Sequence, residues 1–122
     1  MITAHSLNVA KFIIQKAKSP VSNLKLQKLL YYVQGWHLGI YGEPVFSQPI
    51  QAWIHGPVVP YVFGKFKEYK WISIPPDPTT VVLTQNLETH VVKVLNAIST
   101  SRQPNWKRFH IKKPHGLKLE KD

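Results

Sequence analysis

The segment from Ser22 to Gly42 constrains the fold of this chain more than any other part of the sequence. Its apolar residues recur every three or four positions, which predicts one long helix with a continuous apolar face made of Leu26, Leu29, Leu30, Val33, Trp36, His37 and Ile40. Ser22 is suited to cap the start of this helix and Gly42 to end it. A helix of about 20 residues is about 30 Å long, so several other elements must cover its apolar face.

Apolar periodicity predicts three more helices and two short strands around this one. The helices are expected at Ser6 to Lys18, from Pro57 through Tyr69, and from a cap at Thr84 to Ile98. The strands are expected at Pro49 to Ile54 and at Val81 to Leu83. His55-Gly56-Pro57 is predicted to turn the chain from the first strand into a helix, with Pro57 in the first helical turn. We expect a single domain of the mainly helical α+β class, with about four helices and a short strand pair or hairpin.

The long helix also carries a second stripe, formed by Gln27, Tyr31, Gln34 and Leu38. Two interpretations fit this stripe. The simpler one is a second packing surface within the chain, because aromatic residues commonly serve the core. The other is a partner-binding face, for which these four residues are the candidates.

The net charge of +10 is not spread evenly over the 122 residues. Residues 1–98 hold nine Lys or Arg and four Asp or Glu, whereas the much shorter segment 99–122 holds seven and two, so each part carries +5. Residues 99–122 are therefore predicted to be an irregular basic tail. Its lysines and arginines, with Trp106 and Phe109, suggest an alternative function as a small basic nucleic-acid-binding regulator that contacts phosphates through Lys107, Arg108, Lys112 and Lys113. The simpler interpretation is a solvated chain end.

Catalytic and cofactor chemistry has little support in the sequence. The six acidic residues are scattered, cysteine is absent, and no two histidines have the i, i+4 spacing of a helical metal site. We therefore expect a non-enzymatic protein without a metal or cofactor. Lysines occupy the positions where a signal peptide would be apolar, and prolines interrupt the longest uncharged stretch, Val45 to Gly64. These features favour a cytoplasmic protein that does not enter the membrane.

Three blocks of sequence, in order, resemble a known family. They are NLKLQKLLYY at 23–32, QGWHL at 34–38 and IQAWIHGPVVP at 50–60. Together they are similar to the Panacea antitoxin domain, the SocA-like or GepA-like phage-associated family, over about Met1 to Ile98. The resemblance implies a mainly helical α+β domain that neutralises a cognate toxin by direct protein contact, in bacteria, prophages or mobile elements. One family member is described as an adaptor that delivers its toxin to the ClpXP protease, so inhibition and delivery are both open.

The resembling blocks also contain residues with a structural interpretation. Trp36 and Trp53 are large apolar anchors, and His55, Gly56 and Pro57 form the tight turn. Gln51 stands where the family more often has Glu. Gln27, Tyr31, Gln34 and Leu38 remain the partner-binding candidates, with Tyr31 as the first anchor.

The tail departs from the family, whose members continue with a helix and a motif of the form S/T-H-x-x-x-P-W-x-x-A-R. Reading the codons from Asn105 to Glu120 in a shifted frame, with permitted synonymous codons, gives LEKISHQKTPWLEARK, which contains this motif. We hypothesise that residues 99–122 include an out-of-frame ending of a longer family member. This hypothesis predicts that the domain at 1–98 is incomplete at its C-terminal end, and it weakens the nucleic-acid interpretation.

Overall fold

The structure, a computed structural model, describes residues 3–69 and 71–99. Its elements, in chain order, are α1 (Ser6–Lys16), α2 (Asn23–Tyr41), β1 (Gln51–Trp53), β2 (Gly56–Val58), α3 (Pro60–Lys65) and α4 (Gln85–Ser99). Four helices and one two-stranded antiparallel sheet confirm the expected mainly helical α+β class. The predictions for the basic tail concern residues that lie outside the described part of the chain, which ends at residue 99.

Helix α2 is the central element, and its ends are those that the sequence predicts. The Ser22 hydroxyl accepts a hydrogen bond from the Lys25 backbone N–H (3.2 Å). Gly42 ends the helix in the left-handed conformation (φ 70°), and its N–H donates to the Leu38 carbonyl oxygen (2.9 Å). Both ends are set by local chemistry, because a hydroxyl satisfies a free N–H and glycine accepts a positive φ.

The core lies where α1, α3, α4 and β2 pack against α2. Its buried apolar side chains include Val9, Ile13, Leu26, Leu30, Val33, Phe46, Val59, Val62 and Val91. Of the apolar face that the sequence assigns to α2, the part from Leu26 to Val33 lies in this cluster and Trp36 packs against it. Ile40 departs from the prediction and is 54% exposed, because the end of the helix extends beyond the elements that cover it. Helices α1 and α4 cover that face because each presents an apolar stripe of its own.

The turn at His55-Gly56-Pro57 differs from the prediction. In β1 and β2, Trp53 pairs with Gly56 and Ala52 with Pro57, so the turn closes a β-hairpin rather than leading directly into a helix. Gly56 has a φ of 119°, which residues other than glycine rarely adopt. The proline in the first turn of α3 is Pro60, not Pro57. The motif therefore contains a hairpin turn before Gly56 and, after β2, a separate helix start at Pro60.

The other differences concern the extent of the elements. No strand forms at Val81 to Leu83, where Val82 is 83% exposed, and the partner of β1 is β2 instead. α1 ends at Lys16, and α3 ends at Lys65 rather than continuing to Tyr69. The segment between α3 and α4 is held to α1 by the Gln15 amide, which donates to the carbonyl oxygens of residues 77 and 79.

The start of α4 agrees with its predicted cap. The Thr84 hydroxyl accepts a hydrogen bond from the Leu87 backbone N–H (3.3 Å), and the helix begins at the next residue, Gln85. Along the described residues, no helix has both the length and the apolar character needed to cross a membrane.

Candidate partner-binding site

The side chain of Gln34 holds the chain segment that follows α2. Its Oε1 accepts hydrogen bonds from the backbone N–H groups of Val45 (2.7 Å) and Phe46 (3.2 Å), and its Nε2 donates to the Phe46 carbonyl oxygen (2.7 Å). Only 5% of Gln34 is exposed. Val45 and Phe46 are buried but lie outside regular secondary structure, so the glutamine supplies hydrogen bonds that no neighbouring strand supplies.

Gln27 has a similar role at the other end of the hairpin. Its Oε1 accepts a hydrogen bond from the backbone N–H of Val59, the residue that precedes α3 (2.9 Å). Its Nε2 donates to the Asn23 Oδ1 (2.9 Å), and the Asn23 amide in turn donates to the Phe63 carbonyl oxygen (3.1 Å). Only 1% of Gln27 is exposed. Two side chains one turn apart on α2 thus fix both ends of α3.

These contacts divide the stripe that the sequence offers as a partner-binding face. Gln27 and Gln34 point into the molecule, as the simpler interpretation of the stripe expects, and they leave almost no surface for a partner. Tyr31 and Leu38 are half-buried. A partner-binding role for the stripe therefore rests on Tyr31 and Leu38 and stays a prediction. Periodicity gives the direction of a side chain, but not which segment covers it.

Tyr31 lies on the wall of a pocket where α2, β2 and the end of α4 meet. The pocket measures about 360 Å³ and is lined by Lys25, Lys28, Leu29, Tyr31, Tyr32, Pro57 and Ile98. We call it the tyrosine pocket. The rings of Tyr31 and Tyr32 pack edge to face, with centroids 5.8 Å apart. Most of its lining is apolar, and the two lysines supply the charge.

Both tyrosine hydroxyls are uncharged at neutral pH. Burial raises the pKa of Tyr31 above its ordinary value, and the neighbouring Tyr32 raises it further. Burial also raises the pKa of Tyr32. The two rings therefore line the pocket as neutral aromatic groups. The sequence gives Tyr31 but misses the pocket as a whole, because Pro57 and Ile98 reach it from elements far from α2 in the sequence.

A second, more polar pocket lies between α2 and α4. It measures about 720 Å³, and His37, Tyr41, His90 and Lys93 are among its lining residues. The Nε2 of the buried His90 lies 2.9 Å from the Val33 carbonyl oxygen and carries the hydrogen, since a carbonyl can only accept. Burial lowers the pKa of His90 below its ordinary value. Its ring meets that of His37 edge on, with centroids 4.9 Å apart.

The remaining motif residues lie around the hairpin and the core. Trp36 is half-buried and packs against the core, while Trp53 meets Phe63 edge to face (5.1 Å) and donates through Nε1 to the Gln51 Oε1 (2.9 Å). Gln51 therefore supplies an acceptor oxygen to the Trp53 indole within the hairpin. His55 is exposed at the hairpin turn, with its ring 6.0 Å from that of Trp71.

Fold and site together define a small, mainly helical α+β domain whose central helix holds a hairpin on one side and a pocket beside it. The family model described as "Antitoxin SocA-like, Panacea domain" matches residues 26–103, which is more than half of the chain. The chain belongs to this antitoxin family, as the three sequence blocks predict. Within residues 3–69 and 71–99, no group of three or more His, Cys, Asp or Glu side chains could hold a metal ion.

A curated relative supports the same assignment. The chain is 43% identical over 61 residues to "Antitoxin SocA" of Caulobacter vibrioides (strain NA1000 / CB15N), an alignment that covers 48% of this chain and 32% of that protein. The chain thus spans about a third of the length of the curated relative that it matches. No solved structure matches the chain.

Proposed function

We propose that this protein is a non-enzymatic antitoxin that neutralises a cognate protein toxin by binding it directly. The observation that carries the proposal is membership in the SocA-like antitoxin family, over residues that include most of α2 and the hairpin. A stable protein complex typically buries about 1,200–2,000 Å², with a few aromatic residues supplying most of the binding energy. Tyr31 is the proposed anchor, because its ring is half-buried and lines a pocket formed by three elements.

A growth-rescue assay tests this proposal. The toxin probe is the product of the open reading frame that lies beside the gene for this chain, expressed from an inducible promoter. Co-expression of the full chain is expected to restore growth, and Tyr31→Ala to reduce the rescue by about tenfold or more, which corresponds to the loss of an anchor contact. Tyr61→Ala is the matched control, because Tyr61 is 46% exposed on α3 and does not line the pocket.

The outcomes separate the parts of the proposal. Failure of both the present chain and a chain with the restored frame to restore growth would overturn the antitoxin function for this toxin. Full rescue by Tyr31→Ala, with normal helical circular dichroism, would overturn the role of Tyr31. The toxin level during rescue distinguishes the two mechanisms. Inhibition leaves the level unchanged, whereas delivery to ClpXP lowers it, and the loss then disappears in a strain without ClpXP.

We also propose that residues 99–122 contain an out-of-frame ending and that residues 1–98 form the antitoxin domain. The family match ends at residue 103, two residues before the shifted reading begins at Asn105, which supports this proposal. Sequencing of the coding DNA is expected to show the motif in the shifted frame. A thermal melt of a chain with the restored frame is expected to give a higher midpoint than the present chain, because a closing helix would cover apolar surface. Equal midpoints, or a shifted frame with another reading, would contradict it.

A further inference from the structure

The tyrosine pocket has the size and the lining of a receptor for one or two apolar side chains. Its volume of about 360 Å³ is at the lower end of the usual range of ligand pockets, which is about 300–1,000 Å³. Leu29, Pro57 and Ile98 supply apolar surface from three different elements, and the two tyrosine rings complete the walls. Since Pro57 is held by the hairpin and Leu29 by the core, this surface is formed before a partner arrives.

The charge around the pocket has one sign. Lys25 and Lys28 lie at its rim, and none of the lining residues in the described part of the chain is acidic. Among the residues that the structure describes, the one ion pair joins Lys11 to Asp77, so the two rim lysines have no carboxylate partner there. The Lys25 ammonium is held in position by the Ser19 hydroxyl (2.8 Å) and the residue 20 carbonyl oxygen (3.4 Å), which are both neutral.

The start of α2 adds to this positive field. Lys25 and Lys28 belong to its first two turns, and the first turn contains no acidic residue. The positive end of the helix dipole is therefore not offset by a side chain of the same turn. The whole chain, at +10, also attracts acidic partners over longer distances.

The chemistry of the pocket favours one occupant over two others. The chain's own tail carries seven basic and two acidic residues between 99 and 122, so its charge is repelled by Lys25 and Lys28. Single-stranded nucleic acid binds along a row of cations with aromatic faces open for stacking. Here the two tyrosine rings pack against each other and form walls. An inserted apolar side chain would contact the apolar walls, and carboxylates beside it would pair with Lys25 and Lys28.

We infer that the tyrosine pocket binds an acidic segment of the partner protein, with an aromatic or aliphatic side chain inserted between Tyr32 and Ile98 and neighbouring Asp or Glu residues at Lys25 and Lys28. This inference rests on the proposed antitoxin function and names the chemistry of the toxin segment that the site takes. It also assigns the two lysines as specificity-determining residues.

A peptide-selection experiment tests the chemistry of the pocket without the toxin. The full chain is used to select from a displayed library of random twelve-residue peptides. We expect enrichment of peptides in which an apolar residue is flanked by Asp or Glu. The double variant Lys25→Glu/Lys28→Glu is expected to bind the selected peptides about tenfold or more weakly and to enrich basic peptides instead. The control Lys16→Glu/Lys65→Glu makes the same change in net charge on α1 and α3 and is expected to keep the original preference.

Several results would overturn the inference. The first is a set of selected peptides without a preference for Asp or Glu. The second is an equal loss of peptide affinity in the two double variants. The third is displacement of the selected peptides by a thymidine oligonucleotide that requires Lys25 and Lys28. The last result would assign the pocket to nucleic acid. Loss of selection by a chain whose tail carries LEKISHQKTPWLEARK would assign the pocket to that segment instead.

The rescue assay then separates this inference from the proposed function. Rescue by wild type that is lost in Lys25→Glu/Lys28→Glu and kept in Lys16→Glu/Lys65→Glu supports both. Rescue kept in both double variants overturns the inference and leaves the antitoxin function standing. Absence of rescue by both the present chain and the restored-frame chain overturns the function, and selection of acidic peptides would then show only what the pocket binds.

Discussion

Replacing Gln34 by leucine is expected to destabilise the domain by about 3–5 kcal/mol. The change removes the partners of three buried backbone groups, the N–H of Val45 and the N–H and carbonyl of Phe46. Each buried polar group left without a partner costs about 1–3 kcal/mol, and the apolar surface of leucine offsets part of the sum. A domain of about 100 residues has a total stability of about 5–15 kcal/mol, so this loss is a large share.

Urea unfolding followed by far-ultraviolet circular dichroism measures the loss. With an m-value of about 1.5 kcal/mol/M, a loss of 3 kcal/mol lowers the midpoint by about 2 M. Gln85→Leu is the matched control, because Gln85 is exposed at the start of α4, and it is expected to change stability by less than about 0.5 kcal/mol. A Gln34→Leu midpoint within the error of this control would refute the reasoning.

A second substitution distinguishes lost hydrogen bonds from altered packing. Gln34→Glu keeps both acceptor bonds, but its carboxylate cannot donate to the Phe46 carbonyl oxygen. A protonated Glu can donate, and burial favours the neutral form, so the pKa of this Glu in the folded state is expected above its unfolded value. The penalty relative to wild type should therefore shrink as the pH falls from 7.5 to 5. A penalty that does not change with pH would contradict the role given to the Gln34 amide.

Three smaller predictions concern local features of the fold. Ser22→Ala removes the cap of α2 and should lower stability by about 1 kcal/mol in urea unfolding, whereas an unchanged midpoint would argue against the cap. Gly42→Ala should lower the free energy of unfolding by about 1 kcal/mol, because Gly42 has a positive φ. Gly64→Ala should raise it by about 0.5 kcal/mol, because Gly64 lies in helical backbone with open space around it. A gain in stability at both sites would contradict the left-handed conformation of Gly42. Burial lowers the pKa of His90, so the unfolded chain binds a proton more readily than the folded chain. The melting midpoint should therefore fall as the pH drops through about 6.5. His90→Gln should make the midpoint less dependent on pH, and an unaltered dependence would refute the role of His90.

The features that the sequence predicts correctly are those set by neighbouring residues. The caps of α2 and α4, and the apolar face of α2 as far as Trp36, depend on side chains within a few positions of one another. The hairpin is harder to predict, because the short apolar run at Val81 to Leu83 looks like a strand, whereas pairing depends on the reversal between Trp53 and Gly56. Periodicity cannot distinguish these two possibilities.

The candidate site was predictable only in part, for a related reason. Tyr31 was identified from the helical pattern, but Gln27 and Gln34 share its stripe and are buried by segments that the pattern does not show. The lining from Ile98 and Pro57 depends on contacts between elements far apart in the sequence. The antitoxin assignment came from the sequence blocks themselves, and no feature of the fold alone indicates it.

The hydrogen bonds of Gln27 and Gln34 also determine how the backbone should exchange with deuterated solvent. The amide hydrogens of Val45, Phe46 and Val59 lie in segments without regular secondary structure, yet each is bonded to a side chain of α2. Such amides are protected while the segment stays packed on the helix that carries their acceptor. Their exchange rates should therefore follow those of the middle of α2 rather than those of exposed loops. The exchange rates of these three loop amides would then report the opening of the central helix.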